Sequence, residues 1–161
     1  MDRYPVLLAS RLLVLLLMAG LAGCASNAPA PEETAPVYRP EQSKQWAQEG
    51  RQALEAGHRE VALTAWQKSL AANPANATVR NNLALLLKEQ KRFDEAARLL
   101  QAGLAVTPEV PDLHYNLAVI SELYLLDLDT ALEHYRQYQA LADDDSQNVA
   151  GWIADLERRL Q

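Results

Sequence analysis

The chain has one cysteine, one phenylalanine and three histidines among 161 residues. A single cysteine excludes an internal disulfide and a Cys-rich zinc site. Three histidines leave little for His-based metal chemistry. There is no basic excess: Lys+Arg is 15, Asp+Glu is 21, and the net charge is −6. Nucleic-acid binding needs phosphate-neutralising side chains, so that class is not expected. No G-x-S-x-G, H-E-x-x-H or Walker-type glycine loop occurs, so no catalytic motif is present. Asp127 and Asp129 lack the glycine and the twelfth-position glutamate of a calcium loop. His58 reads as a solvated turn residue, His114 as a packing residue, and His134 as a lone surface histidine. Neither an enzyme nor a cofactor is expected. What is present is 49% hydrophobic and 22% charged, the balance of an ordinary globular chain.

Long apolar runs are also scarce. The one that stands out, Leu12 to Leu21, follows Arg3 and Arg11. It is about half the roughly 20 residues that cross a bilayer, and it matches the apolar region of a signal peptide. It ends in Leu21-Ala22-Gly23-Cys24, which resembles the bacterial lipobox. That resemblance implies cleavage before Cys24, a diacylglyceryl group on its thiol and acylation of the new amine. Residues 1–23 are then a lipoprotein signal peptide. Ala25 follows in place of an aspartate, which the resemblance reads as outer-membrane sorting, on the periplasmic face. One acyl chain binds a membrane only marginally, whereas several anchor it firmly. The leader takes with it Asp2, Arg3 and Arg11, so the mature chain is slightly more acidic still and is not drawn to anionic lipid by charge.

Residues 24–42 contain Pro29, Pro31, Pro36 and Pro40 and few large apolar side chains. They are expected to form a semi-extended tether. From Ser43 onward the apolar pattern is helical, and no period-two stretch suggests a strand. The chain then repeats itself at 34 residues. Ala62 falls on Ala96, Trp66 on Leu100, Leu70 on Leu104 and Pro74 on Pro108. Gly50, Ala84 and Ala118 share one position, and Leu83 and Leu117 another. Small residues let two helices approach, the large residue four places on fills the space behind, and the proline ends the second helix.

These residues resemble the tetratricopeptide repeat, whose pattern is W-x2-L-G-x2-Y, then A-x3-F, then P. Trp46, Gly50, Ala62, Trp66 and Pro74 match it; Glu49, Ala53 and Arg80 depart from it. The third copy carries one extra residue, placed in its turn, so that Ala131 and Tyr135 regain the register, and Asp143–Asp145 closes it instead of a proline. The expected fold is all-α: a solenoid of three helix-turn-helix repeats over residues 43–147, then a capping helix over 148–161. Helices are predicted near 43–56, 60–72, 77–90, 94–106, 111–126, 129–142 and 148–160. Gly57 suits a left-handed helix end, and Asp94 and Asp129 suit N-caps. Val149, Trp152, Ile153, Leu156 and Leu160 form the apolar face of the last helix.

Stacked pairs curve, and the first helix of each pair lines the concave face. The resemblance implies that this groove takes a protein or peptide partner. The first unit offers Lys44, Ala47 and Arg51; the second, Thr78, Asn81, Leu85 and Lys88; the third, Asp112, Tyr115, Val119 and Glu122. Asn82 and Asn116 recur at one position, where an amide reaches either a bound backbone or a neighbour in the array. Asp112 and Asn116 stand where, by the resemblance, the family's clamp for a C-terminal carboxylate needs cations. An amphipathic peptide anchored on Leu85, Tyr115 and Val119 is therefore expected. The architecture resembles lipoproteins that assemble pili and other envelope machines; a regulatory subunit of an envelope enzyme is the alternative. Self-association through the open array end is favoured if Trp152 is exposed and opposed if it faces inward.

Overall fold

The computed structural model describes residues 38–142 and 148–161. These form seven α-helices and one π-helical turn, with no strand among the described residues. The helices are α1 (Pro40–Glu55), α2 (Arg59–Ala72), α3 (Ala77–Glu89), α4 (Phe93–Leu104), α5 (Pro111–Ile120), α6 (Leu128–Leu141) and α7 (Val149–Arg159), and the π turn (Ser121–Leu125) continues α5. α1 packs on α2, α3 on α4 and α5 on α6; each pair then packs on the next, and α7 packs on α6. This is the expected solenoid of three pairs with a terminal helix. The signal peptide, Cys24, the tether up to residue 37 and Asp143–Asp145 lie outside the described residues.

Helix starts differ from expectation in ways the side chains explain. α1 begins at Pro40, inside the expected tether, because proline's fixed φ suits the first helical position and its missing N–H is not needed there. Just before it, the Arg39 N–H donates to the Ala72 carbonyl at 2.8 Å, fixing the chain entry to the end of α2. Asp94 and Asp129 are not N-caps. The cap positions are Arg92 and Asp127, and the two aspartates stand in the first turn, where their charge still favours the helix dipole. Asp127 accepts the Thr130 N–H at 3.1 Å, and Asn76 accepts the Val79 N–H at 3.2 Å.

The three hairpins turn through equivalent left-handed residues: Gly57 (φ 78°), Lys91 (φ 61°) and Leu126 (φ 56°). In the first two, the next N–H reaches back five residues: His58 to the Ala53 carbonyl at 2.8 Å and Arg92 to that of Leu87 at 2.9 Å. These are Schellman closures. In the third, Asp127 reaches six back, to Ser121, at 2.9 Å. The extra residue of the third unit is therefore not in the turn. It is taken up in the helix before it, as the π turn, and the left-handed turn is preserved.

Inside, the repeat register is the packing register. Ala62, Ala96 and Ala131 are buried, and so are Trp66, Leu100 and Tyr135 four residues on. Trp66 and Leu100 share one cluster with Leu83 and Leu117. Gly50 lies flat against Trp66: a Cβ there would stand 2.4 Å from the indole Cδ1. The Trp66 Nε1–H donates to the Ala47 carbonyl at 3.2 Å. The second cluster joins Ala118, Tyr135 and Tyr138 to Val149, Ile153 and Leu156 of α7. Each large aliphatic side chain buried in this way contributes about 1.5–3 kcal/mol. Trp152 and Leu160 do not share that buried face; they remain 38% and 39% exposed.

Candidate functional site

The first helices of the pairs, α1, α3 and α5, frame two hollows that meet at Asn82. The first, between α1 and α3, has a volume of about 210 Å³ and is lined by Arg51, Leu54, Trp66, Leu85, Leu86, Glu89 and Asn82. The second, between α3 and α5, holds about 170 Å³ and is lined by Ala77, Thr78, Asn81, Asn82, Val110 and Asp112. Arg51, Asn81, Asn82, Leu85 and Asp112 thus come together along one line of first-helix positions. Leu54, Ala77, Leu86, Glu89 and Val110 also line the hollows without having been singled out in the sequence. Glu89 follows Asn82 by seven residues, two helical turns, and that spacing was the available signal for it.

Lys88, Tyr115, Asn116 and Val119 line neither hollow. Tyr115 packs at 5.3 Å from the Tyr138 ring and 6.3 Å from that of Trp152. Burial, with Tyr138 adding to it, raises the affinity of the Tyr115 hydroxyl for its proton. Val119 packs against the same cluster. Of the three expected apolar anchors, Leu85 alone lines a hollow, because α6 and α7 draw the other two into the second core. Glu122 is likewise engaged: it accepts the Tyr135 hydroxyl at 3.1 Å and pairs with Arg159 at 3.1 Å.

The two asparagines at the shared repeat position part company. The Asn116 Nδ2 donates to Asn81 Oδ1 at 2.7 Å and to the Asp112 carbonyl at 3.1 Å, so its amide serves the array. Asn82 is half-buried and its side chain makes no hydrogen bond among the described residues. Its amide can both donate and accept, which suits an extended backbone. Arg51 beside it is exposed and forms no ion pair among the described residues, whereas Glu89 is held by Arg59.

His134 is not a lone surface histidine. His114, buried beneath it, has Nε2 2.9 Å from the Pro108 carbonyl, which can only accept. His114 therefore carries its proton on Nε2, and its Nδ1 accepts from His134 Nδ1–H at 2.9 Å. Burial first, then the His114 neighbour, lowers the proton affinity of His134; Glu133 opposes this. Arg80, at the equivalent position of the previous unit, donates from Nη2 to the Pro74 carbonyl at 2.6 Å. The residues that depart from the repeat's tryptophan thus cap the carbonyl of the preceding helix-ending proline. Among the described residues no group of three or more potential ligands converges on a metal site, and no helix is long and apolar enough to cross a membrane.

The model of the tetratricopeptide repeat family matches residues 48–111 and 82–146. No curated protein sequence matches the chain. Solved structures do. The first tetratricopeptide domain of Spaghetti (RPAP3) bound to HSP90 peptide SRMEEVD is 15% identical with a TM-score of 0.68, over 78% of this chain and 98% of that one. The Arabidopsis OM64 domain is 19% identical with a TM-score of 0.63, over 74% and 97%. The N-terminal domain of stress-induced protein-1 from C. elegans is 18% identical with a TM-score of 0.64, over 73% and 95%. At these identities the likeness is one of fold. Such folds typically mediate protein–protein or peptide binding, and none of these matches indicates an enzyme family. By its repeat register, its buried small residues and this match across more than half its length, the chain belongs to the tetratricopeptide repeat family.

Proposed function

We propose that the chain is a non-enzymatic adaptor of the bacterial envelope. In this reading Cys24 carries lipid, the signal peptide is removed, and the protein is held at the periplasmic face of the outer membrane. The Pro-rich tether gives the repeat array reach, and the groove docks a peptide segment of a partner during assembly of an envelope complex such as a pilus. The observation that carries the docking is the uncommitted Asn82 amide between two hollows, with Arg51 and Leu85 beside it. The partner differs in kind from the acidic-tailed HSP90 peptide bound by Spaghetti, because Asp112 stands on the third first-helix in place of a cation. An extended segment with one apolar side chain for the α1–α3 hollow fits better. A few such anchors dominate affinity in interfaces of this kind. Trp152, 38% exposed, also offers a contact for a second copy at the C-terminal end.

Two measurements test this. Cells labelled with a palmitate analogue should yield labelled protein, and Cys24→Ser should abolish the label. Crosslinked partner recovered from the envelope should be lost with Asn82→Ala combined with Leu85→Arg, and retained with Asn116→Ala. Equal recovery from all variants removes the groove from the account.

A further inference from the structure

A third hollow, a shallow cavity open to solvent, lies between α2, α3 and α4, with a volume of about 540 Å³ and no lining residue in common with the two groove hollows. It lies along a different stripe of α3, the one that carries Arg80, Leu83 and Leu87. Leu70 and Leu99 extend its apolar surface, and Arg92, Glu95 and Arg98 stand on it. Arg92 and Glu95 satisfy each other through two hydrogen bonds of 2.8 and 2.7 Å. That leaves Arg80 and Arg98, neither of which has a carboxylate within ion-pair distance among the described residues. On a chain of net charge −6, this is a local positive excess.

Arg80 is the unusual member. It is only 7% exposed, and its guanidinium uses just two donors on the protein, to the Pro74 carbonyl at 2.6 Å and the Leu99 carbonyl at 3.3 Å. Burial without a counter-charge weakens its hold on its proton. A buried charge is costly unless an opposite charge reaches it. The protein nonetheless makes room for this side chain: a Cβ on Gly103 would stand 2.1 Å from Arg80 Cδ. The remaining N–H groups, in the fixed fork of a guanidinium, suit a carboxylate.

We propose that this cavity binds an aliphatic carboxylate, with its head between Arg80 and Arg98 and its chain along Leu70, Leu83, Leu87 and Leu99. The leucines set the requirement for an alkyl body, and the two unpaired arginines set the sign of the head. The site is independent of the groove, and Arg98→Gln leaves both groove hollows untouched. Partner capture through Asn82 and ligand binding here therefore stand or fall separately.

The test is calorimetric titration of the full chain carrying Cys24→Ser with decanoate, octanoate and 1-decanol, all below their aggregation limits. Decanoate should bind at least about tenfold more tightly than 1-decanol, the difference expected of one charge-assisted contact. Octanoate should be weaker than decanoate by about fourfold per missing methylene. Arg98→Gln, an exposed change that leaves the fold intact, should weaken decanoate about tenfold and leave 1-decanol unchanged. Arg80→Met, which keeps the stem and removes the charge, should do the same. Methyl shifts should appear at Leu83, Leu87 and Leu99 and not at Leu85. Equal binding of decanoate and 1-decanol, indifference of decanoate to Arg98→Gln, or shifts centred on Leu85 would each overturn the proposal.

Discussion

Gly50 shows how much one missing methyl can matter. Its Cα lies so near the Trp66 indole that Ala would force the ring off its hydrogen bond to Ala47. Gly50→Ala should destabilise the chain by about 1–3 kcal/mol, in spite of alanine's better helix propensity, and urea denaturation would measure it. Arg80 and His114 show the limit of reading residues by pattern. Arg80 was legible as a departure from the repeat's tryptophan and His114 as a packing residue, but sequence spacing gives no depth, and so their equivalent hydrogen bonds, to the Pro74 and Pro108 carbonyls, were not. His134 was missed for the same reason: its partner lies 20 residues away, across a helix pair. Its titration gives a signed prediction. Its folded-state proton affinity is lowered, so the neutral form supports the fold. That support is complete above the ordinary histidine value near 6.5 and is lost as pH falls from there toward the folded value. Thermal melts at pH 7.5 and 5 should show a smaller acid loss in His134→Asn, whose amide can still donate to His114.

Helices were the most legible level. All seven appear where periodicity put them, within a few residues, because their apolar positions recur at the helical period and their prolines mark the ends. Turn geometry was legible only where glycine announced it. Gly57 is a plain left-handed signal, whereas Lys91 and Leu126 adopt the same conformation with side chains that give no hint of it. The two cases make opposite predictions. Gly57→Ala meets nothing within 4 Å, so its cost is backbone strain alone, about 1 kcal/mol. Leu126→Gly should relieve a similar strain; after the added freedom of the unfolded chain is subtracted, a gain of about 0.5 kcal/mol remains. Leu126 is 75% exposed, so little packing is forfeited. Chemical denaturation of the two variants should move the midpoint in opposite directions.

At the scale of the molecule, the core falls into two clusters, the second of which depends on α7 for Val149, Ile153 and Leu156. Replacing Ile153 and Leu156 by alanine should cost several kcal/mol and release hydrogen-exchange protection in α6 before α2. The groove was legible as a set of first-helix positions. It was not legible that the third unit's share would be drawn inward, since that depends on where α6 and α7 place Tyr138 and Trp152. The π turn at Ser121–Leu125 bears on how such chains change over time. An insertion swallowed by a widened helical coil leaves both the bend after it and the interior beyond it in phase. An alignment that counts strictly by 34 slips there; the gap belongs at 121–125, not between the helices.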